Sequence, residues 1–112
     1  MRIHHVAFRT HDLSRLHAFY TSLGFDTTRR DERSAWMRAG DAVLMLEHAD
    51  ADEAQDLSAS RELVAFQVTI EERRALTATL HTIGVPTDGA TPFTTYVRDP
   101  DGRRVGFSHY PT

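Results

Sequence analysis

The sequence predicts an α+β fold in which one βαβββ unit is used twice. Three observations carry that expectation. Segments of matching character recur at an offset of about 60 residues: Val6-Ala7-Phe8 with Val64-Ala65-Phe66, Leu23-Gly24-Phe25-Asp26-Thr27 with Ile83-Gly84-Val85-Pro86-Thr87, and Trp36-Met37-Arg38 with Tyr96-Val97-Arg98. In each half a period-2 strand pattern comes first, a period-3.6 helix pattern follows, and three short strand patterns close the unit. Tyr96 to Val105 holds two short strands around Asp99-Pro100-Asp101-Gly102, where Pro100 fixes φ and Gly102 is free to take a positive one.

The elements of the first half are justified in order. Ile3 to Thr10 alternates and is rich in β-formers, so it reads as a strand. Asp12 caps a helix whose apolar positions Leu13, Leu16, Phe19, Tyr20 and Leu23 follow the helical period until Gly24 ends it. Phe25 to Arg30, Ser34 to Ala39 and Ala42 to His48 give three further strands, the last two joined by a Gly40-Asp41 turn. Ala49 to Ser60 carries four acids and few large apolar residues, and reads as a linker with room for one helical turn. The second half repeats the order: strand Leu63 to Thr69, helix Glu71 to Thr82, and strands Thr87 to Ala90, Phe93 to Arg98 and Arg103 to His109. Residues 1–112 therefore form one domain, with module one at 1–48, the linker at 49–60 and module two at 61–112.

Composition sets the surroundings. A 112-residue chain is one domain by length, and a half of it buries too little surface to be comfortable alone, so the modules are expected to share a core or to borrow one from a second subunit. A homodimer is the expected partner state. The chain has no cysteine, no apolar run near 18 residues and no basic-then-apolar leader, which points to a cytoplasmic protein with no disulfide scaffold and no membrane partner. A net charge of −3 with acids and bases interspersed lacks the basic face that a nucleic-acid partner requires. No phosphate-cradling glycine loop, nucleophile elbow or Cys–His pair is present.

The strand His5-Val6-Ala7-Phe8, the run Asp12-Leu13 to Phe19-Tyr20 and Leu23-Gly24-Phe25, and the Asp99-Pro100-Asp101-Gly102 hairpin together resemble the vicinal oxygen chelate superfamily. That superfamily includes glyoxalase I, extradiol dioxygenases, fosfomycin-resistance enzymes and bleomycin-resistance binding proteins. The resemblance covers nearly the whole chain. It implies two tandem βαβββ modules forming a cupped mixed sheet with helices outside, a small-molecule cavity within, and, in short members, a cup completed between two chains.

Strand alternation then says which side chains line the cup. Val6 and Phe8 suit packing under a helix, as do Leu44, Leu46, Val105 and Phe107. The opposite phase sends His5, Arg9, Trp36, Arg38, Met45, Glu47, Gln67, Tyr96, Arg98 and Ser108 to the ligand side. Trp36 and Tyr96 occupy equivalent positions and either sandwich a planar ligand or simply pack on their sheets. Arg9 lies where glyoxalase I-like relatives keep an arginine on the substrate carboxylate, which implies an anionic or zwitterionic ligand.

Catalytic members of the superfamily hold a metal on four side chains, and the matching positions here are His5, Met45, Leu63 and Gly106. Only His5 can ligate, so neither metal nor other cofactor is expected. The leading expectation is a glyoxalase/bleomycin-resistance-like protein that binds a small, partly aromatic or anionic molecule. Two alternatives remain open: a lyase, isomerase or dioxygenase with a displaced metal at His5 and Glu47, joined by Gln67, or a metal-free acid–base enzyme in which Glu47, in an apolar pocket, acts beside His5.

Overall fold

The structure, a computed structural model, describes residues 1–54 and 56–112. The chain divides into two compact units, Met1–Gln55 and Asp56–Thr112. In the first, β1 (Val6–Thr10), α1 (Leu13–Ser22), β2 (Asp26–Arg30), β3 (Ser34–Ala39) and β4 (Ala42–His48) form a four-stranded sheet of order β1-β4-β3-β2 with one helix. The second repeats it with β5 (Leu63–Gln67), α2 (Ile70–Thr82), β6 (Thr87–Ala90), β7 (Thr94–Arg98) and β8 (Arg104–Ser108), in the order β5-β8-β7-β6. Each sheet is mixed, because β1 runs parallel to β4 and β5 parallel to β8 while the remaining pairs are antiparallel. The α+β, twice-used βαβββ fold read from the sequence is the fold observed.

Duplication extends to the register. Thr27 pairs with Met37 as Thr87 pairs with Val97, Arg30 with Ala35 as Ala90 with Thr95, and both ladders are irregular between those pairs. Trp36 faces Met45 across the ladder as Tyr96 faces Gly106. Equivalent residues can therefore be compared position by position.

In each unit the apolar strand phase supplies the core. Leu16, Tyr20, Met37, Leu44 and Leu46 have no exposed surface, and Phe8 is 5% exposed. Tyr20 sits among Phe8, Phe19 and Phe25, with ring centroids 5.1–5.8 Å apart. In the second unit Val97, Val105, Phe107, Leu76 and Leu80 play that part, with Phe66 stacked on Phe107 at 5.8 Å. Burying such side chains is worth about 1.5–3 kcal/mol each.

The helix boundaries follow from caps. Asp12 accepts a hydrogen bond from the Arg15 N–H at 3.0 Å, and Gly24 takes φ +102° beyond the end of α1. α2 begins at Ile70, one residue earlier than the periodicity suggested, because Thr69 and Glu72 form a reciprocal capping box with both bonds at 3.0 Å. β1 starts at Val6 rather than Ile3. Val6 is paired with Leu44 near the start of β4, and Ile3 is 80% exposed.

The segment expected as a linker contains turns and no helix among its described residues, and its parts are fastened to their own units. The Ala49 N–H donates to the Thr10 carbonyl at 2.8 Å, and the Leu57 N–H donates to the Asp101 carbonyl at 2.9 Å. The unit boundary falls inside it, and Gln55 lies outside the described residues. Gly102 takes φ +86° in the Asp-Pro-Asp-Gly turn, and a Cβ there would lie 2.6 Å from the Ser58 nitrogen and hydroxyl. No helix among the described residues is long and apolar enough to cross a membrane.

Candidate ligand-binding site

On the polar face of the first sheet, the β1–β4–β3 register sets side chains in rows. Ala7, Met45 and Trp36 form one row, and Arg9, Glu47 and Ser34 the next. His5 lies just before β1, and its ring packs on Trp36 with centroids 4.8 Å apart. Its Nδ1 is also 2.9 Å from Nδ1 of His4. Arg38 pairs with Val43 and with Asp26 in the flanking strands. An open hollow of about 1010 Å³ lies against this end of the face, lined by Trp36, Arg38 and Val43 together with Arg2, Arg29 and Asp41.

Arg9 is already committed. Its Nε donates to Oε1 of Glu53 at 2.6 Å, its Nη2 to Oε2 of Glu53 at 2.8 Å, and its Nη1 to Glu47, with Asp50 3.6 Å away. Bidentate pairing of this kind suits the planar guanidinium. The group expected to receive a ligand's carboxylate thus receives the protein's own. Glu53 is held well below the usual carboxylate value, at about 2, first by the Arg9 hydrogen bond and then by the Asp50 N–H. Arg9 is correspondingly raised, chiefly by its hydrogen bond to Glu53.

This pairing bears on both enzyme alternatives. Glu47 sits beside a guanidinium rather than in an apolar pocket, and it shares a row with Arg9, not with His5. His5 lies just before β1, and in the β1–β4 register Glu47 stands opposite Arg9 near the other end of that strand.

The second sheet repeats the pattern with a different outcome. Tyr96 lies over Gly106: a Cβ on Gly106 would meet the ring at 3.2 Å. The Arg104 guanidinium covers the same ring at 4.1 Å from its centroid. Arg98 donates through Nε to Asp88 at 3.1 Å and through Nη1 to the carbonyls of Ser60 (2.9 Å) and Gly102 (3.1 Å). Arg104 reaches the same Asp88 oxygen at 3.1 Å. Ser108 accepts from the Thr94 hydroxyl at 2.7 Å, and Gln67, its ladder partner, is exposed. The first unit therefore brings together His5, Trp36, Arg38 and Met45, and separately Arg9 with Glu47. The second unit gathers Tyr96 and Arg98, with Gln67 and Ser108 one row away.

Sequence reasoning missed Glu53 and Asp50, which sit in the supposed linker, and Arg2, Arg29 and Asp41 around the hollow. It also missed Asp88 and Arg104. The signal for Asp88 was available: the repeat sets it opposite Thr28, an acid where module one has none.

His5, at the first of the four positions where the resemblance implies metal ligands, is followed by three that carry no imidazole or carboxylate. Met45 is a thioether between Ala7 and Trp36, Leu63 is a 41% exposed aliphatic side chain, and Gly106 lies beneath the Tyr96 ring. These residues do not fit a divalent cation. Among the described residues no three His, Cys, Asp or Glu side chains come together in a metal-holding group.

A family model described as the Glyoxalase/Bleomycin resistance protein/Dioxygenase superfamily matches residues 2–107. The fold is similar to FosX, a fosfomycin resistance protein from Listeria monocytogenes solved with Mn(II) and sulfate (16% identity, 96% of this chain and 88% of that one, TM-score 0.75). It is similar to lactoylglutathione lyase from Agrobacterium tumefaciens (19% identity, 96% and 92%, TM-score 0.74). An integron cassette protein from the Halifax Harbour sewage metagenome shares it too (21% identity, 96% and 98%, TM-score 0.77). At these identities the likeness is one of fold. Comparison with curated protein sequences finds none that matches. With the family model spanning almost the entire chain and both βαβββ units in place, this chain belongs to the glyoxalase/bleomycin resistance protein/dioxygenase superfamily.

Proposed function

We propose that the protein binds a small, partly aromatic or anionic molecule on the polar faces of its sheets, without a metal ion, as a binding protein of the bleomycin-resistance kind. The observation that carries this reading is the donor set. Of His5, Met45, Leu63 and Gly106 only His5 can ligate, and Gly106 is roofed by Tyr96. One imidazole does not hold a divalent ion against water. FosX was solved with Mn(II); the donors here do not support a comparable site. What the faces offer instead is an indole, a phenol and guanidinium groups, which suit binding and orientation. A homodimer is part of the proposal.

Elemental analysis of protein purified without chelator tests it. Well under one equivalent of zinc, nickel, manganese or iron per chain is the expected result. Stoichiometric metal that disappears in His5→Ala would overturn the reading.

A further inference from the structure

The duplicated fold supplies an internal comparison that separates the two halves of the candidate site. Trp36 and Arg38 of module one correspond to Tyr96 and Arg98 of module two, in the same ladder positions. In module two the pair is satisfied from within: Asp88 holds Arg98 and Arg104, and Arg104 lies on the Tyr96 ring. In module one the position of Asp88 is taken by Thr28, whose hydroxyl donates to the Trp36 carbonyl at 3.2 Å, and the position of Arg104 by Val43, which carries no charge. Among the described residues Arg38, Arg29 and Arg2 make no ion pair, although all three line the hollow beside Trp36. The acids nearby are Asp41 on the rim, Asp26 opposite Arg38, and Asp31, which Arg29 reaches electrostatically; none of them closes to ion-pair distance on Arg2, Arg29 or Arg38. Three cations against one acid leave the lining positive.

We infer that module one alone recognises the anionic end of a planar ligand, with the ring against Trp36 and a carboxylate or similar oxyanion on Arg38, helped by Arg29 and Arg2. Module two fills the equivalent subsite with its own Asp88 and Arg104. Arg38 is free to present a forked pair of donors to a carboxylate, and the Trp36 indole offers a flat apolar surface. This assignment rests on the reading of the protein as a small-molecule binder and names the ligand class and the half that selects it.

Trp36 is the sole tryptophan, so its fluorescence reports this subsite alone. The probes are 4-nitrobenzoate, uncharged 4-nitrobenzamide and cationic 4-nitrobenzylamine, titrated into chelator-treated full-length protein at low salt. Saturable quenching by the anion, with the amide and the amine weaker by about tenfold or more, is expected. Arg38→Gln should lose about tenfold in affinity for the anion. Thr28→Asp, which copies the acid of module two into module one, should do the same by engaging Arg38. Asp88→Thr should leave quenching unchanged. Two independent module-one variants guard against one of them misfolding, which far-UV circular dichroism reveals. Equal affinity for amide and anion, normal anion binding in both module-one variants, equal loss in Asp88→Thr, or no saturable quenching by any probe overturns the inference. None of these touches the metal-independent reading, whose own test is metal content.

Discussion

Arg9 holds two carboxylates by hydrogen bonds and has a third within reach, and its partners explain why its role was not legible in the sequence. Glu47 becomes its neighbour only through the parallel β1–β4 pairing, and Glu53 lies in a stretch whose acidity reads as solvation. The contact has a pH signature. The Glu53 carboxyl is lowered from 4.5 to about 2 by Arg9 and the Asp50 N–H, so the folded state favours its ionised form. Its contribution to stability is present above about pH 4.5 and is lost as the pH falls through that value toward 2. Denaturant midpoints measured down this range should fall more steeply for the wild type than for Glu53→Gln, which has no proton to gain. Parallel slopes would show that the Arg9 contacts add nothing to stability. Trp36 and Arg38, by contrast, were placed by strand alternation alone, because a period of two does not depend on which strand lies alongside.

At the scale of the element, the eight strands and two helices of the described residues were all legible, and the misplaced ends have local causes. Ile3 to His5 has strand character but no ladder partner, and Thr69 was drawn out of β5 by its role as the cap of α2. The turn between β7 and β8 was legible from Pro100 and Gly102, but its second constraint was not, since Ser58 is distant in sequence. Two glycines separate these constraints. Gly40 takes φ +57° with open space around its missing Cβ, so Gly40→Ala should cost only the left-handed penalty of about 1 kcal/mol. Gly102→Ala adds a clash with Ser58 at 2.6 Å to a similar penalty, and should cost about 1–3 kcal/mol more. Chemical denaturation of the two variants measures the difference, and equal costs would mean that the Ser58 segment moves aside freely.

For the molecule as a whole, the proposed dimer is the central question. β1 and β5 are edge strands of their own sheets, and Leu63 on β5 is 41% exposed, an arrangement that invites pairing with another chain. We propose a two-fold dimer in which the first module of one chain meets the second of its mate. Light scattering at micromolar concentration should return a mass near twice 12.7 kDa, and a mass near 12.7 kDa would overturn the dimer. The family and the repeat were legible because they reside in apolar pattern and turn chemistry. The difference between the halves was not, because it depends on which charges meet once the strands are paired.

The Tyr96 ring above Gly106 also bears on how sequences of this superfamily are connected by mutation. A side chain introduced at residue 106 meets the ring at 3.2–3.3 Å at its first carbon, so a carboxylate there requires the Tyr96 ring to give by a few tenths of an ångström. Met45 and Leu63 would each have to become donors besides. No one of these replacements confers cation affinity by itself, and the first at residue 106 costs packing. A route from this sequence to one with donors at all four positions is therefore epistatic: no single replacement completes the set, and the one at residue 106 must be matched by movement of its roof.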